Sequence, residues 1–241
     1  MNLKFIVIGI IFFVLNACNT PKNNSLIQNN YPDIHIVGAM KDVMWKGELQ
    51  GKINIDTISN KKGLFGLGPK SYLIGEVLII DGKSFVSRVT SDSTMTVKET
   101  YKAAAPFFVY ANVVEWKEIN VPTDIKDIVS IERFINEKSK NAKRPFTFKI
   151  SGTVKSAKIH IQNLPSGMEV STPEEAHQGQ TDYQLKNEKV EIVGFFSTEH
   201  KGVFTHHGTY IHMHLINDER TKMGHLDEVE FDEFMLSLPL R

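Results

Sequence analysis

Histidine is concentrated near the carboxyl end of the chain. Five of the nine histidines lie in the segment THHGTYIHMHLINDERTKMGH, residues 205–225. Alternate residues of a β-strand point the same way, so His212 and His214 would share one face and Met213 the other. The polar stretch that follows can reverse the chain and bring His225 beside this pair on a neighbouring strand. Three converging imidazoles with an open coordination position are typical of a catalytic metal site; zinc is the first expectation, and other divalent first-row metals are alternatives.

A plainer interpretation of these histidines competes with the metal site. An isolated His-x-His on a strand is more often polar surface, and the third histidine, directly after Gly224, is what favours a metal. His206 and His207 compete as ligands, but adjacent strand residues face opposite ways, so at most one could join. We interpret these two as a loop over the site or as residues without a function.

Strand-like patterns dominate the rest of the sequence. The segments Gly75–Ile80 and Lys83–Val89 flank Asp81-Gly82, a dipeptide that accepts the positive φ angles of a tight hairpin turn. Residues 146–161 alternate on both sides of Ser151-Gly152, which predicts a second hairpin. Further strands are predicted at 94–97, 106–114, 190–196 and 209–216.

One long helix is predicted, from Ile125 to about Ser139, with Thr123 and Asp124 as candidate caps. Its apolar stripe comprises Ile125, Ile128, Val129, Ile131, Phe134 and Ile135. Strand-rich halves on either side of one main helix predict an α+β fold with mixed β-sheets. A sub-domain boundary near residue 140 is compatible with this pattern.

The first eighteen residues indicate the compartment. Lys4 precedes an unbroken apolar run, Phe5–Leu15, which is too short for a membrane span of about 20 residues but fits a secretory signal peptide. The run ends in Leu-Asn-Ala-Cys, which resembles the lipobox of bacterial lipoproteins and makes Cys18 the predicted lipidation site. A plain signal peptide that contains a cysteine is the alternative. We therefore expect an exported, membrane-anchored lipoprotein with a signal peptide (1–17), a polar tether (18–32) and one domain (33–241).

Composition excludes several classes of partner. The chain has 28 basic and 28 acidic residues, and removing Lys4 with the signal peptide leaves 27 against 28. Without a basic stripe, nucleic acid is not expected as a partner. Cys18 is the only cysteine, so an intramolecular disulfide is impossible. There is no second long apolar segment, and any membrane contact is expected through the lipid alone.

Four segments together resemble one known family. Residues 208–228, GTYIHMHLINDERTKMGHLDE, are similar to the signature of alpha-acetolactate decarboxylases, a His-x-His run followed ten residues later by Gly-His. The segments at 63–85, 146–161 and 191–197 match that family in order and spacing, so the resemblance runs from about Asp33 to the end of the chain. Small DNA-associated domains with His-x-His and Gly-Gly-His are a distant second match, because they lack the upstream hairpin.

The resemblance implies roles for individual residues. Glu76 matches the family's hairpin glutamate, while His212, His214 and His225 match its metal ligands. The family's arginine falls on His160, and no equivalent was found for the glutamate of its C-terminal tail. Without the resemblance, Glu76 would be interpreted as a solvated edge residue and His160 as strand surface.

The resemblance also implies a reaction. It predicts a carbon–carbon lyase that decarboxylates 2-acetolactate, a 2-hydroxy-3-keto acid, to acetoin in acetoin biosynthesis. Glu76 would transfer the proton, and His160 would take the arginine's place beside the substrate carboxylate. The alternative is a lipid-anchored relative that has lost turnover and binds a metal or a small 2-keto or 2-hydroxy acid. Assembly into a homodimer is left open.

Overall fold

A computed structural model describes residues 32–240 of the chain. The predicted signal peptide, the predicted lipidation site Cys18 and all of the tether except its last residue lie outside the described residues. None of the helices within 32–240 is long and apolar enough to cross a membrane.

Strands make up most of the described chain, so the fold is mainly β and the predicted α+β class fits it only loosely. The three α-helices found in residues 32–240 are α1 (Met40–Lys46), α2 (Ile128–Lys138) and α3 (Pro173–Ala176). The strands are β1 (His35–Val37), β2 (Ile53–Asn54), β3 (Leu64–Pro69), β4 (Glu76–Ile80), β5 (Lys83–Ser91), β6 (Thr94–Glu99), β7 (Ala104–Ala105), β8 (Phe108–Asn112), β9 (Trp116–Asn120), β10 (Phe146–Ile161), β11 (Thr181–Phe196), β12 (Ile211–Asn217) and β13 (Met223–Pro239).

A six-stranded sheet is built from the first half of the chain, in the order β1-β8-β3-β4-β5-β6. The predicted hairpin is confirmed as β4 and β5, and its turn residues Asp81 and Gly82 have φ angles of 46° and 75°. Both angles are positive, as a two-residue turn of this hand requires. The hairpin places Glu76 at the start of a fully buried strand.

A five-stranded sheet is built mainly from the second half, in the order β10-β11-β12-β13-β9, and an additional pairing of β10 with β13 closes four of its strands into a ring. Pairings between the named strands are all antiparallel, so the expected mixed sheets are wrong for the described residues. More than half of the paired strands are consecutive along the chain. Short connections between consecutive strands favour antiparallel pairing, because parallel pairing would need long crossover connections.

The predicted hairpin around Ser151-Gly152 is also wrong. Residues 146–161 form one strand, β10, which pairs with β11 along one edge and with β13 along the other. A Cβ on Gly152 would lie 2.1 Å from the carbonyl oxygen of Glu233 on β13. The glycine therefore permits a close approach of two strands and does not mark a turn.

The main helix is present as α2, but it begins later than predicted. Its N-cap is Asp127 and not Thr123 or Asp124: the Asp127 side chain accepts a 2.8 Å hydrogen bond from the Ser130 N–H, and the Ser130 hydroxyl accepts one from the Asp127 N–H. This reciprocal pair satisfies two backbone donors of the first turn. Val129, expected in the apolar stripe, is 67% exposed, and the buried face consists of Ile131, Phe134 and Ile135.

The two sheets share a hydrophobic core. Leu67 and Leu78 of the first sheet belong to the same buried cluster as Val193 and Ile216 of the second. Face-to-face packing of this kind brings the start of β4 close to the histidine-bearing strands. A smaller buried cluster packs α1 and α3 against the loops between strands and includes Met40 and Met44.

Candidate metal centre

The predicted histidine pair lies on β12, with the alternation that the sequence indicates. His212 and His214 are both buried on one face, whereas Met213 packs into the core of the second sheet on the other. The predicted chain reversal is confirmed: β12 pairs with β13, and His225 lies directly opposite His214. Ring centroids of the three histidines are 5.0–5.7 Å apart.

Asn217 closes the reversal between β12 and β13. Its side-chain oxygen accepts hydrogen bonds from the N–H groups of Thr221 and Lys222, each at 2.9 Å. Arg220, with φ of 57°, completes the turn. A local asparagine bond therefore sets the register in which His225 faces His214.

His160 continues the histidine row on the neighbouring strand. It lies on β10 directly opposite His225, and the two rings stack with centroids 4.6 Å apart. Gly224 permits this contact, because a Cβ there would lie 2.4 Å from the His160 carbonyl oxygen. The position that matches the family's arginine is thus at the histidine cluster and not on open strand surface.

His206, which we interpreted as part of a loop over the site, lies within the cluster. Its Nε2 is 2.9 Å from Nε2 of His225, and ring nitrogens of His206, His212 and His225 all lie within 4.8 Å of one another. His207 is exposed. Strand alternation could not decide between the two, because the segment that carries them is a loop.

Asp227 is a further member that the sequence reasoning missed. Both of its carboxylate oxygens lie 2.8 Å from Nδ1 of His160, and one lies 3.1 Å from Nδ1 of His225. The signal was available, since residues two apart on a strand share a face and Asp227 follows His225 by two. As acceptor for both rings, the carboxylate places hydrogen on each Nδ1 and leaves each Nε2 toward the cluster.

Glu76 approaches the cluster from the other sheet. It is 2% exposed, its Oε1 accepts a 3.1 Å hydrogen bond from the Gln162 N–H, and its Oε2 is 3.7 Å from Nε2 of His214. Glu76 is therefore buried beside the histidines and does not lie at a solvated strand edge.

The two carboxyl groups have opposite pKa shifts. Burial raises the pKa of Glu76 well above 4.5, the nearby Asp227 charge adds to this, and the Gln162 hydrogen bond opposes it only in part. For Asp227, burial also favours the neutral form, but hydrogen bonds from His160 and His225 outweigh it and hold the pKa well below its usual range. The two environments therefore push the pKa values of the two carboxyl groups apart, which is a common division between acid and charge partner.

Burial favours the neutral form of four histidines in the cluster. Burial, followed by the charge of His225, lowers the pKa of His206 to about 3 and that of His212 and His214 well below the usual value. Burial also lowers the pKa of His225, although Asp227 opposes the shift. Neutral imidazoles are the form that binds metal ions.

Unpaired buried nitrogens fit a metal ion at this place. Nδ1 of His212 and both ring nitrogens of His214 are buried and have no partner at ordinary hydrogen-bond distance among the described residues, although weaker backbone hydrogen bonds with Phe204 and Val77 partly oppose the lowered pKa values of His212 and His214. Such atoms are costly to leave unpaired, and coordination would satisfy them. The donor set, imidazoles with adjacent carboxyl groups, suits zinc and related divalent ions.

A small cavity lies inside the cluster. Its volume is about 30 Å³, and its lining includes Met40, Met44, Glu76, Gln162 and five histidines. Neither lysine nor arginine is among the described residues that line it. The space is enough for about two water molecules, so a larger ligand requires side chains to move.

Sequence comparisons with known proteins point to one family. A family model described as alpha-acetolactate decarboxylase matches residues 34–239. The alpha-acetolactate decarboxylase of Brevibacillus brevis is 24% identical over 225 residues, which cover 88% of this chain and 74% of that protein. The enzyme of the same name from Lactococcus lactis subsp. cremoris is 28% identical over 208 residues, covering 83% and 78%.

Solved structures share the fold. Acetolactate decarboxylase from Bacillus subtilis subspecies spizizenii superposes with a TM-score of 0.71 at 23% identity, covering 86% of this chain and 85% of that one. A Staphylococcus aureus protein of unknown function, similar to alpha-acetolactate decarboxylase, also gives 0.71, at 20% identity and with 85% and 84% covered. Because the family model spans nearly all of the described residues, the chain belongs to the alpha-acetolactate decarboxylase family.

Proposed function

We propose that this chain is a metal-dependent decarboxylase that converts 2-acetolactate to acetoin and carbon dioxide. Membership of the alpha-acetolactate decarboxylase family is what supports this choice of reaction. The structural observation that best supports it is the buried carboxyl of Glu76, whose pKa burial raises, facing a cluster of histidines across a small cavity. The product would enter acetoin biosynthesis.

The metal would be held by His212, His214 and His225, with zinc as the first candidate. Asp227 keeps hydrogen on Nδ1 of His225, so Nε2 is the nitrogen available to the ion. A divalent ion bound here supplies Lewis-acid polarisation of the ketone and hydroxyl oxygens of the substrate.

Glu76 would deliver the proton that completes the reaction. When the bond to the carboxylate carbon breaks, carbon dioxide leaves and the electron pair spreads onto the neighbouring ketone oxygen. A proton must then reach the carbon that lost the carboxylate. Oε1 of Glu76 accepts the Gln162 N–H, so Oε2 is the oxygen that can carry this proton into the cavity. Delivery from one side would give acetoin of one handedness.

His160 and Gln162 are the groups that we assign to the substrate carboxylate. The Nδ1 hydrogen of His160 is taken by Asp227, and the side-chain nitrogen of Gln162 lies 3.3 Å from the remaining Nε2. A substrate carboxylate would accept hydrogen bonds from the side-chain amide of Gln162 and, when the imidazole carries a second proton, from Nε2 of His160. These two side chains cannot reproduce the rigid, permanently charged fork of a guanidinium, so we expect weaker carboxylate binding than an arginine would give.

Substrate entry would require the side chains of Met40 and Met44 on α1 to move. The cavity holds little more than water, and the side chains of Met40 and Met44 form part of its apolar wall. Methionine side chains rearrange easily because they are unbranched and flexible. A nine-heavy-atom acid would displace them toward solvent.

We also propose that the protein is exported and anchored to a membrane by a lipid on Cys18. The support is the sequence of residues 1–18, with its apolar run and the cysteine at the expected cleavage site. The partner in catalysis is a small molecule, and no nucleic acid is involved.

The handedness of the product tests the reaction. Racemic acetolactate also decarboxylates without a catalyst, and that background gives both forms of acetoin equally. The purified protein with zinc should release acetoin faster than buffer, with one enantiomer in clear excess. Bound metal with racemic acetoin at the background rate would instead support the non-catalytic binding relative.

A further inference from the structure

His206 lies between two cavities. It lines the inner cavity of about 30 Å³ that contains Glu76, and it also lines an outer pocket of about 370 Å³ that includes Thr209 and Asp227. His225 lines both as well, but it is fixed in a strand, whereas His206 is carried by the loop between β11 and β12.

The contact between His206 and His225 has the separation of two ligands on one ion. Their Nε2 atoms are 2.9 Å apart. Two imidazole nitrogens bonded at the usual lengths to one ion lie about 3.3 Å apart in a tetrahedral site and about 2.9 Å apart in an octahedral one. Without an ion the pair is held by a hydrogen bond that His206 must donate, because Asp227 holds the His225 hydrogen on Nδ1.

The loop can hold His206 in place and can also release it. Phe204 and Thr205 are buried, and the Gly202 N–H donates a 2.8 Å hydrogen bond to the Thr205 carbonyl. Beyond His206 the loop is looser: the Thr209 N–H reaches the His206 carbonyl at 3.4 Å, and a Cβ on Gly208 would meet nothing within 4 Å. The loop residues before His206 are therefore held in place, whereas those after it have room to move.

We propose that His206 is a fourth, exchangeable ligand of the metal, which occupies a coordination position at rest and leaves when a chelating substrate binds. The inference rests on the proposed metal site. In a tetrahedral site, which the two Nε2 atoms would reach by moving apart by about 0.4 Å, four imidazoles fill every coordination position, so a chelating 2-hydroxy-3-keto acid requires at least one of them to leave. The loop-borne ring is the ligand that can leave without breaking a strand pairing.

Cobalt and zinc binding to wild type, His206→Ala, His206→Gln and the matched control His207→Ala tests this assignment. Metal affinity is measured by competition with a chelator, and the visible spectrum of the cobalt form reports the coordination number. Thermal unfolding of the metal-free proteins checks that each variant folds. Both His206 variants should bind zinc at least tenfold more weakly, since even outer partners of ligands are worth about 10–100-fold, and their cobalt spectra should change. His207→Ala should match wild type.

A second measurement is the binding of 2-hydroxyisobutyrate, a chelating 2-hydroxy acid, to the metal-loaded proteins. Loss of His206 should weaken metal binding but strengthen binding of this acid. It should bind about tenfold more tightly to His206→Ala than to wild type, because it no longer has to displace the imidazole. Equal metal affinities, spectra and acid binding in all folded variants would overturn the role of His206 while leaving the metal site in place. A wild-type protein that binds neither ion would overturn the proposed metal site and this inference with it.

Discussion

Glu76 is the residue to which we assign proton transfer. Replacing it with glutamine keeps the size of the side chain and can keep the Gln162 contact, but it removes the transferable proton. We expect kcat for acetoin release to fall by about 10²–10⁴-fold, the usual contribution of a positioned general acid. Metal content by elemental analysis should stay at the wild-type level. Turnover within a few-fold of wild type would remove Glu76 from the mechanism.

The Glu76→Gln variant should also change how the unfolding free energy depends on pH. Because the pKa of Glu76 is raised in the folded protein, folding keeps a proton that the unfolded chain releases above pH 4.5. The unfolding free energy of the metal-free wild type, relative to Glu76→Gln, should therefore fall as pH rises from there, by about 1.4 kcal/mol per pH unit, and level off above the raised pKa. Urea unfolding across this range measures the difference, and a flat difference would show that the carboxyl is not buried.

Asp227 orients two histidines at once. Asp227→Asn keeps the shape but replaces an acceptor oxygen with an amide nitrogen, so the rings of His160 and His225 lose a shared anchor. We expect zinc affinity to fall by about 10–100-fold, as for other partners of ligating histidines. Asp182→Asn is the control, since that carboxylate pairs with Lys158 at the surface. Equal zinc affinity in both variants would contradict the orienting role.

At the scale of elements, the close packing of β13 against β10 positions the histidine row. Gly224→Ala would place a Cβ 2.4 Å from the His160 carbonyl oxygen, and relief would require the strands to separate. We expect a loss of about 1–3 kcal/mol in unfolding free energy, together with weaker metal binding. Gly208→Ala, where the added Cβ meets nothing, should change stability by less than about 0.5 kcal/mol. Similar denaturation midpoints for both variants would refute this explanation of Gly224.

Strand periodicity explains what could be predicted about the site. The two-residue alternation put His212 and His214 on one face, and the polar reversal brought His225 opposite them, as the structure has it. It also contained the signal for Asp227, which we did not use. It could not reveal His206, because a loop has no fixed period and its path depends on buried anchors such as Phe204.

Other elements were mispredicted for physical reasons. Ser151-Gly152 was interpreted as a turn because glycine is common in turns. In the structure Gly152 instead permits β13 to approach β10, a tertiary contact that the local sequence does not encode. The start of α2 was misplaced because the capping pair, Asp127 and Ser130, lies inside the apolar pattern that suggested an earlier start.

The whole molecule places its site between two sheets. Glu76 belongs to the first sheet and the histidines to the second, and a shared core holds the two together. Sequence patterns predicted strands in each half of the chain. They could not predict that the two sheets pack face to face, which only the structure shows. The resemblance to a known family supplied the link between Glu76 and the histidines that periodicity alone could not.

The proposed anchor belongs to this scale as well. Cys18→Ser should move the protein from the membrane fraction to the soluble fraction, because the acylated cysteine is the only expected membrane contact. Asn23→Ser, in the same tether, should remain with the membrane. Fractionation after a salt wash, followed by immunoblotting, measures the distribution, and a Cys18→Ser protein that stays in the membrane pellet would contradict the lipoprotein assignment.

The rate of acetoin formation as a function of bound metal tests the central proposal most directly. The protein is stripped with a chelator, and zinc is returned in steps while metal content and acetoin release are measured on the same samples. The rate should rise in proportion to bound zinc, reach its limit at a single ion per chain, and stay at the uncatalysed background in stripped protein and in His212→Ala. Full turnover by the stripped protein, or fully loaded protein no faster than buffer, would contradict a metal-dependent decarboxylase.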